Sequence, residues 1–167
     1  MDQPLEVVLG HIARQLAFRL AVAESCTGGL LSHLITNVPG SSEYFLGGVV
    51  TYANQAKIQI LGVKPETLEK YGAVSRETVL EMAHGVRRVF SADIAFSVSG
   101  IAGPGGGVPG KPVGTVWIGM SVAELDQAWC FQFGGDRQEI KRQAAEMAMK
   151  LLVEYLHPRM AVRNKLS

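Results

Sequence analysis

The sequence predicts an α/β protein, a single three-layer α/β/α domain with a mixed, mainly parallel sheet and a late antiparallel hairpin. Two observations lead to this class. Helical and strand patterns alternate through the first hundred residues, which is typical of parallel βαβ units. Two strand patterns then follow each other closely near residues 115–133, which is typical of a hairpin. The chain has 167 residues, so we expect one domain over 1–167.

Helical spacing of apolar residues predicts five helices. The first follows Pro4 and carries Leu5, Val8, Leu9, Ile12 and Leu16. The second runs from about Gly28 to Thr36, and the third runs from Asn54 to Leu61 and ends at Gly62 and Pro65. Ser75 caps the fourth, whose apolar face is Val79, Met82, Ala83, Val86 and Phe90.

The last predicted helix is long and begins with Asp136 and Glu139, an Asp-x-x-Glu start that resembles a capping box. Its predicted buried stripe is Ile140, Ala144, Met147, Leu151 and Tyr155. We expect residues 158–167, which follow Tyr155 and begin with a proline, to form a frayed basic tail.

Five short apolar runs predict the strands of the sheet. They are Leu20–Ala23, Gly47–Tyr52, Ile94–Ser99, Thr115–Val122 and Ala128–Phe133. The last two form the hairpin, with Leu125, Asp126 and Gln127 at its turn. Aromatic residues alternate with smaller or polar ones in the final strand, which predicts two unlike faces.

Composition and charge exclude several classes of protein. Hydrophobic residues make up 47% of the chain, so it is not a disordered tail. The net charge of +1 disfavours a dedicated duplex-DNA binder, which needs a basic face. Two cysteines supply neither a disulfide framework nor a zinc site. We see no signal peptide and no apolar run that spans a membrane, and we expect a cytoplasmic location.

A glycine-rich stretch, 105–112, matches two phosphate-binding patterns and fails the structural test of both. The pattern G-x-x-x-x-G-K needs Ser or Thr at its last position, where this chain has Pro112. That pattern and G-x-G-x-x-G must each open a helix, and a strand pattern follows here instead. Two interpretations of the loop stay open. It is a rigid turn between strands, or Ser99–Pro104 presents backbone N–H groups to a ligand.

Ser25 lies where the first buried strand meets a helix N-terminus. The positive end of the helix dipole and its free N–H groups then lie beside the hydroxyl, as in the nucleophile elbow of serine hydrolases. N–H groups near Thr27, Gly28 and Gly29 are candidates to bind a developing oxyanion. An ordinary Ser or Thr helix cap is the structural alternative. Cys26 is a rival nucleophile, which we rank second.

A nucleophilic serine needs a base, and none of the four histidines lies in a suitable loop. A lysine serves instead when burial lowers its pKa toward neutrality. Lys57 is the best candidate because it follows a buried strand and lies near Tyr52 among apolar residues. A solvent-facing helix lysine is the alternative at this position.

Five ordered motifs resemble the CinA C-terminal domain family, the nicotinamide-nucleotide amidohydrolases. The resemblance runs from about Leu5 to Tyr155. Its motifs are Ala23–Gly29, Gly48–Lys57, Gly72–Ser75, Gly100–Pro104 and Lys111–Val116.

The resemblance implies deamidation of nicotinamide mononucleotide to nicotinate mononucleotide and ammonia, in pyridine-nucleotide salvage, with no metal or organic cofactor. It implies Ser25 as nucleophile, Lys57 as general base and Tyr52 as a relay or positioning hydroxyl. The implied substrate-binding residues are Thr27, Gly28, Gly29, Ser99, Gly100, Ile101, Ala102, Gly103 and Arg137.

Two departures from the family pattern bear on the phosphate contacts. Ser99 replaces the usual Thr, and Lys141, with Arg142 beside it, replaces the usual Arg. Because Ser99 keeps a hydroxyl and Lys141 keeps a positive charge, we expect the phosphate contacts to change in strength but to be retained.

The alternatives are a module that binds a pyridine nucleotide without turnover and a competence-associated partner-binding role. We expect a small-molecule substrate, no nucleic-acid or membrane partner, and a homodimer or higher homo-oligomer.

Overall fold

A computed structural model describes residues 3–166. Its helices are α1 (Leu5–Leu16), α2 (Leu30–Thr36), α3 (Asn54–Leu61), α4 (Pro65–Tyr71), α5 (Arg76–Phe90) and α6 (Arg137–Leu166). Its strands are β1 (Leu20–Glu24), β2 (Phe45–Val50), β3 (Ile94–Gly100), β4 (Thr115–Val122) and β5 (Asp126–Gln132). A short 3₁₀ turn spans Ser41–Glu43.

The strands form one mixed sheet in the order β2-β1-β3-β4-β5. β1 is parallel to both of its neighbours, with Leu20 opposite Phe45 on one side and Ile94 on the other. β3–β4 and β4–β5 are antiparallel. The predicted fold class, a mixed sheet with a late antiparallel hairpin, is confirmed.

Helices cover both faces of the sheet because β1 alternates its side chains between two apolar clusters. Leu20 and Val22 pack into a cluster with residues of α1, α2 and α6. Ala21 and Ala23 pack into a second cluster that includes Leu61, Leu68, Met82 and Val86 of α3, α4 and α5. The small residues on this second face allow α5 to lie close to the sheet.

Local sequence signals set two of the helix starts as predicted. The Ser75 side chain accepts a hydrogen bond from the Thr78 N–H at the start of α5. Before α6, the Asp136 N–H donates to Glu139 and the Glu139 N–H donates to Asp136, at 2.7 and 2.9 Å. This reciprocal pair is the capping box that the spacing indicated.

Several boundaries differ from the prediction, each for a local reason. α2 begins at Leu30 because Gly28 and Gly29 have φ of 63° and 101°, which a right-handed helix does not allow. β2 ends at Val50, and the carbonyls of Thr51 and Tyr52 accept hydrogen bonds from the Lys57 amine instead of continuing the strand. The final hairpin turns at 123–125, where the Val122 N–H donates to the Leu125 carbonyl, so Asp126 and Gln127 belong to β5.

Helix α4 differs from the prediction, in which Pro65 only ends the preceding helix. Proline is equally suited to the first position of a new helix, since its missing N–H has no intrahelical acceptor there.

In α6 the predicted stripe was wrong in its second half. Met147, Leu151 and Tyr155 are only partly buried, whereas the fully buried line continues at every fourth residue. That line consists of Ile140, Ala144, Ala148, Leu152 and Leu156.

The tail after Pro158 was expected to be frayed, but α6 continues to Leu166. Pro158 removes one backbone hydrogen bond. The Arg159 guanidinium lies 3.6 Å from the centre of the Tyr155 ring and donates to the Tyr155 carbonyl, which supports the turn around the proline. Ser167 lies outside the described residues.

The three parallel strands point their carboxyl ends toward the same edge of the sheet. In open α/β sheets, ligands bind in the crevice outside these ends, where successive connections leave in opposite directions. Here the chain leaves β1 toward β2 and later returns to β3 on the other side of β1. Within residues 3–166, no helix combines the length and the apolar character that crossing a bilayer requires.

Candidate active site

Ser25 lies directly after β1 and lines a cavity of about 290 Å³. Its N–H donates to the Val98 carbonyl, which extends the β1–β3 pairing by one residue and holds the serine backbone in place. The residue is 8% exposed. The hydroxyl therefore opens into the crevice from a rigid strand end, as predicted from the strand-to-helix turn.

The Lys57 amine reaches the same hydroxyl from α3. Its Nζ atom lies 3.0 Å from Ser25 Oγ, 2.8 Å from the Thr51 carbonyl oxygen and 3.2 Å from the Tyr52 carbonyl oxygen. A neutral amine has two N–H groups for the two carbonyls and one lone pair for the serine proton. The three contacts therefore fit a base as well as an ammonium ion.

Burial favours the neutral form of this amine. Lys57 is 1% exposed, and removal from water lowers its pKa from 10.5 to about 8. At pH 7 about a tenth of the lysine is then neutral and able to accept a proton, and the neutral fraction reaches about half at pH 8. The alternative of a solvent-facing helix lysine is wrong.

The neighbouring thiol is a poor competitor. Cys26 lines the cavity, and burial raises its pKa to about 12. The helix N-terminus was expected to activate this thiol, but the loss of hydration is the larger effect. Cys26 therefore remains protonated where Ser25 and Lys57 are able to react.

The turn after Ser25 differs from the prediction. Thr27, Gly28 and Gly29 were expected to face the substrate, but they do not line the cavity. The Thr27 hydroxyl and the Gly29 N–H donate to the buried Glu24 carboxylate, and the Gly28 N–H donates to the Ser25 carbonyl.

Within the turn 25–29 only Ser25 and Cys26 line the cavity, so the Cys26 N–H is the candidate donor to an oxyanion. Among the residues that the structure describes, the N–H groups of Cys26 and Thr27 have no protein acceptor. The first of them occupies the position that supplies the oxyanion hole in a nucleophile elbow, the residue after the nucleophile.

Arg137 joins the two loops that flank the cavity. Its guanidinium donates to the Gly103 carbonyl at 2.6 Å and to the Tyr52 hydroxyl at 2.8 Å. Tyr52 is 59% exposed, and in the described residues its hydroxyl makes no hydrogen bond to Ser25 or Lys57. The structure therefore brings Tyr52 to the cavity through Arg137 and not through the Ser25–Lys57 pair.

The loop after β3 forms the opposite wall of the cavity. Gly100, Ile101, Ala102 and Gly103 line it together with Ser99. The Ser99 hydroxyl donates to the Ala73 carbonyl at 2.8 Å, so it ties this wall to the loop before α5. The Ile101 N–H donates to the Thr115 carbonyl and is not available to a ligand.

Some lining residues were not predicted to contact a ligand. Ala73 and Val74 belong to the Gly72–Ser75 motif, and Gly105 and Gly106 belong to the stretch whose phosphate patterns fail. The glycine-rich loop therefore forms part of the cavity wall without opening a helix. The Lys141 amine lies near the turn, since a Cβ atom on Gly28 would come within 3.6 Å of Nζ.

The cavity favours an anionic ligand. The Arg137 guanidinium lines it, and no lining residue in the described part of the chain is acidic. A guanidinium at the rim suits a phosphate by charge and by its fork of N–H groups.

Comparisons with known proteins identify the family of the chain. The family model of the CinA C-terminal domain matches residues 2–156. A CinA-like protein of Desulfosudis oleivorans is 52% identical over 150 residues, which cover 89% of this chain and 36% of that protein. A CinA-like protein of Thermotoga maritima is 50% identical over 158 residues, which cover 95% of this chain and 38% of that protein. The chain thus spans little more than a third of the length of these relatives.

The crystal structure of a competence or damage-inducible protein from Enterobacter asburiae superposes with a TM-score of 0.88 at 38% identity, covering 91% of this chain and 96% of that one. A competence/damage-inducible protein from Agrobacterium tumefaciens superposes with a TM-score of 0.86, also at 38% identity, covering 92% and 96%. The family model, the sequence identity and the shared fold together show that this chain belongs to the CinA C-terminal domain family.

Proposed function

We propose that this chain is an amidohydrolase that converts nicotinamide mononucleotide to nicotinate mononucleotide and ammonia, with Ser25 as nucleophile and Lys57 as general base. The observation that carries the proposal is the 3.0 Å contact between Ser25 Oγ and the buried Lys57 amine. The nucleotide substrate comes from the family resemblance, and the carboxamide is the group that such a pair attacks.

In the first half of the reaction, neutral Lys57 takes the proton of Ser25 as Oγ bonds to the carboxamide carbon. The carbonyl oxygen becomes an oxyanion, for which the free N–H group of Cys26, a residue that lines the cavity, is the proposed backbone donor. The Lys57 ammonium then gives its proton to the amide nitrogen. The C–N bond breaks, and ammonia leaves.

In the second half, Lys57 takes a proton from water as the water oxygen attacks the acyl ester. The Oγ–carbon bond breaks, and the proton returns to Ser25. The sum is one carboxamide and one water converted to one carboxylate and one ammonium ion. Proton transfer by a positioned base contributes about 10²–10⁴-fold to such steps.

The charges around the cavity support a phosphorylated substrate. Arg137 uses two hydrogen bonds on Gly103 and Tyr52, and a guanidinium has five N–H groups, so further donors remain for a phosphate. Lys141 adds a second cation near the start of α2.

The test is an ammonia-release assay with nicotinamide mononucleotide, nicotinamide and NAD, run on the wild-type chain and on Ser25→Ala. We expect turnover of the mononucleotide by the wild type and loss of at least about 10³-fold in the variant. Full activity in folded Ser25→Ala contradicts the nucleophile assignment. Thermal stabilisation by the nucleotide without any ammonia contradicts the enzyme and favours the binding module instead.

A further inference from the structure

Glu24 is a fully buried carboxylate immediately before the nucleophile, and the reaction steps above do not use it. It is 0% exposed at the end of β1. An unpaired charge in such a place costs several kcal/mol, so its partners need to be identified. Within the described residues no lysine, arginine or histidine forms a salt bridge with it.

Hydrogen bonds from the following turn replace the missing cation. Oε2 accepts from the Thr27 hydroxyl at 2.6 Å, the Gly29 N–H at 3.1 Å and the Leu31 N–H at 3.0 Å. Oε1 accepts from the Ser32 N–H at 2.8 Å and the Ser32 hydroxyl at 2.7 Å. Three of these donors are N–H groups at the start of α2, which no carbonyl within the helix is able to satisfy.

The same bonds determine which N–H groups of the turn stay free. Gly29, Leu31 and Ser32 donate to Glu24, and Gly28 donates to the Ser25 carbonyl. Cys26 and Thr27 are left, and of these two residues Cys26 lines the cavity together with Ser25. We propose that Glu24 is a positioning residue: it holds the turn 25–29 in the one conformation that keeps the Cys26 N–H available for the oxyanion.

The change in rate when Glu24 is neutralised distinguishes positioning of the turn from a direct electrostatic effect of the carboxylate on the oxyanion. A negative charge next to a developing oxyanion raises its free energy, so a merely electrostatic view predicts that neutralising Glu24 speeds the reaction. Positioning predicts the opposite, because a small displacement of the reacting groups costs about 10²-fold in rate. The inference about the oxyanion rests on the proposed function, whereas the hold on the turn does not.

Glu24→Gln is the main test, because glutamine has the same size and only one oxygen to offer five donors. We expect kcat for nicotinamide mononucleotide to fall about 10²-fold while KM changes less than about 3-fold, since Glu24 does not line the cavity. The pH at which the rate is half-maximal stays near the pKa of Lys57, because Glu24 makes no hydrogen bond to that amine.

Glu81→Gln is the matched control. Glu81 also caps a short helix, accepting from the Lys64 N–H and the Thr67 hydroxyl at the start of α4, but it does not line the cavity or contact the turn. We expect Glu81→Gln to lower thermal stability and to leave kcat unchanged. An equal loss of kcat in both variants means a general loss of stability and overturns the positioning role.

Thr27 provides a second pair that does not change the buried charge. Thr27→Val removes one bond to Glu24 without changing side-chain size, and Thr27→Ser restores the hydroxyl. We expect kcat to fall about 10-fold in the first variant and to recover most of that loss in the second. This pair decides the matter if Glu24→Gln does not fold.

Unchanged or faster turnover in Glu24→Gln and in Thr27→Val overturns the inference while leaving the proposed function intact. A wild-type chain that releases no ammonia contradicts the proposed function instead. The rate at which a fluorophosphonate bonds to Ser25 Oγ, with loss of fluoride and transfer of the serine proton to Lys57, then decides the role of Glu24. That rate falls in Glu24→Gln if the turn is mispositioned, and an unchanged rate overturns the inference.

Discussion

Lys57 Nζ and Ser25 Oγ lie 3.0 Å apart although 32 residues separate them in the chain. The contact arises because β1 and β2 are adjacent parallel strands. Ser25 follows the carboxyl end of β1, and α3 begins just beyond the carboxyl end of β2. The amine also donates hydrogen bonds to the Thr51 and Tyr52 carbonyls in the β2–α3 connection, so backbone atoms fix its orientation toward the serine.

The lowered pKa of Lys57 predicts the pH dependence of catalysis. Because the neutral amine is the active form, kcat/KM is expected to rise about tenfold per unit below pH 8 and to level off above it. The measurement covers pH 6.5–9.5, where the substrate phosphate, with a second pKa of about 6, is already ionised.

Tyr52→Phe is the control for this profile. The Tyr52 hydroxyl contacts Arg137 and not the Ser25–Lys57 pair, so the rise of kcat/KM toward pH 8 is expected to remain in the variant. If kcat/KM no longer rises toward pH 8 in Tyr52→Phe, or does not depend on pH in the wild type, Lys57 is not the base.

The same pKa predicts how stability depends on pH. In the unfolded chain Lys57 titrates near 10.5, and in the folded chain near 8, so between these values the unfolded state binds more protons. The free energy of unfolding therefore rises with pH in this window, and the burial penalty is fully present below pH 8. Relative to Lys57→Met, the wild type is expected to gain about 3 kcal/mol from pH 7 to 10.5.

Urea unfolding of both chains at several pH values measures this difference. Surface groups titrate alike in both proteins and cancel in the comparison, and Cys26→Ala in both chains removes the one thiol whose charge interacts with Lys57. A difference that is constant from pH 7 to 10.5 would show that Lys57 is an ordinary hydrated lysine in the folded state.

Arg137 is expected to act mainly on the binding of a phosphorylated substrate. Loss of one charge-assisted interaction of about 1.5–3 kcal/mol raises KM for nicotinamide mononucleotide about 10-fold or more in Arg137→Ala. The riboside that lacks the phosphate is affected much less. Arg137→Lys is expected to be intermediate, because it keeps the charge but is unable to span Gly103 and Tyr52 together. An equal loss with both substrates contradicts a phosphate contact.

Elements with strong periodicity and local caps were predictable from the sequence. The apolar face of α5 and the Ser75 cap need only neighbours within one helix, and so does the capping box of α6. The position of Ser25 at a strand end was predictable for the same reason. Lys57 needed the family resemblance in addition, because its burial depends on strands that are distant in sequence.

Contacts that depend on tertiary structure were not predictable. Glu24 appears in the sequence as one polar residue at the end of an apolar strand, and nothing local indicates that five donors converge on it. The expected oxyanion donors at Gly28 and Gly29 were wrong because those N–H groups have partners inside the protein. The link between Arg137 and Tyr52 spans 85 residues and has no sequence signature.

Gly85 lies in the middle of α5, where helix propensity alone predicts that alanine stabilises the fold by about 1 kcal/mol. A Cβ atom at this position would instead overlap the Leu61 carbonyl oxygen, at the end of the helix that carries Lys57. A backbone carbonyl has no rotamer into which it is able to move, so α3 and α5 must separate. Overpacking of this kind costs about 1–3 kcal/mol, which outweighs the gain in propensity.

Gly85→Ala is therefore expected to lower the free energy of unfolding in urea and to lower kcat, because the displacement of α3 carries the Lys57 amine away from Ser25. Gly134→Ala is the matched control: nothing lies within 4 Å of its Cβ position, and its φ is outside the left-handed region, so stability is retained. A Gly85→Ala chain that is more stable than the wild type and equally active would mean that α3 does not depend on this close approach, and that the lysine is positioned by the Thr51 and Tyr52 carbonyls alone.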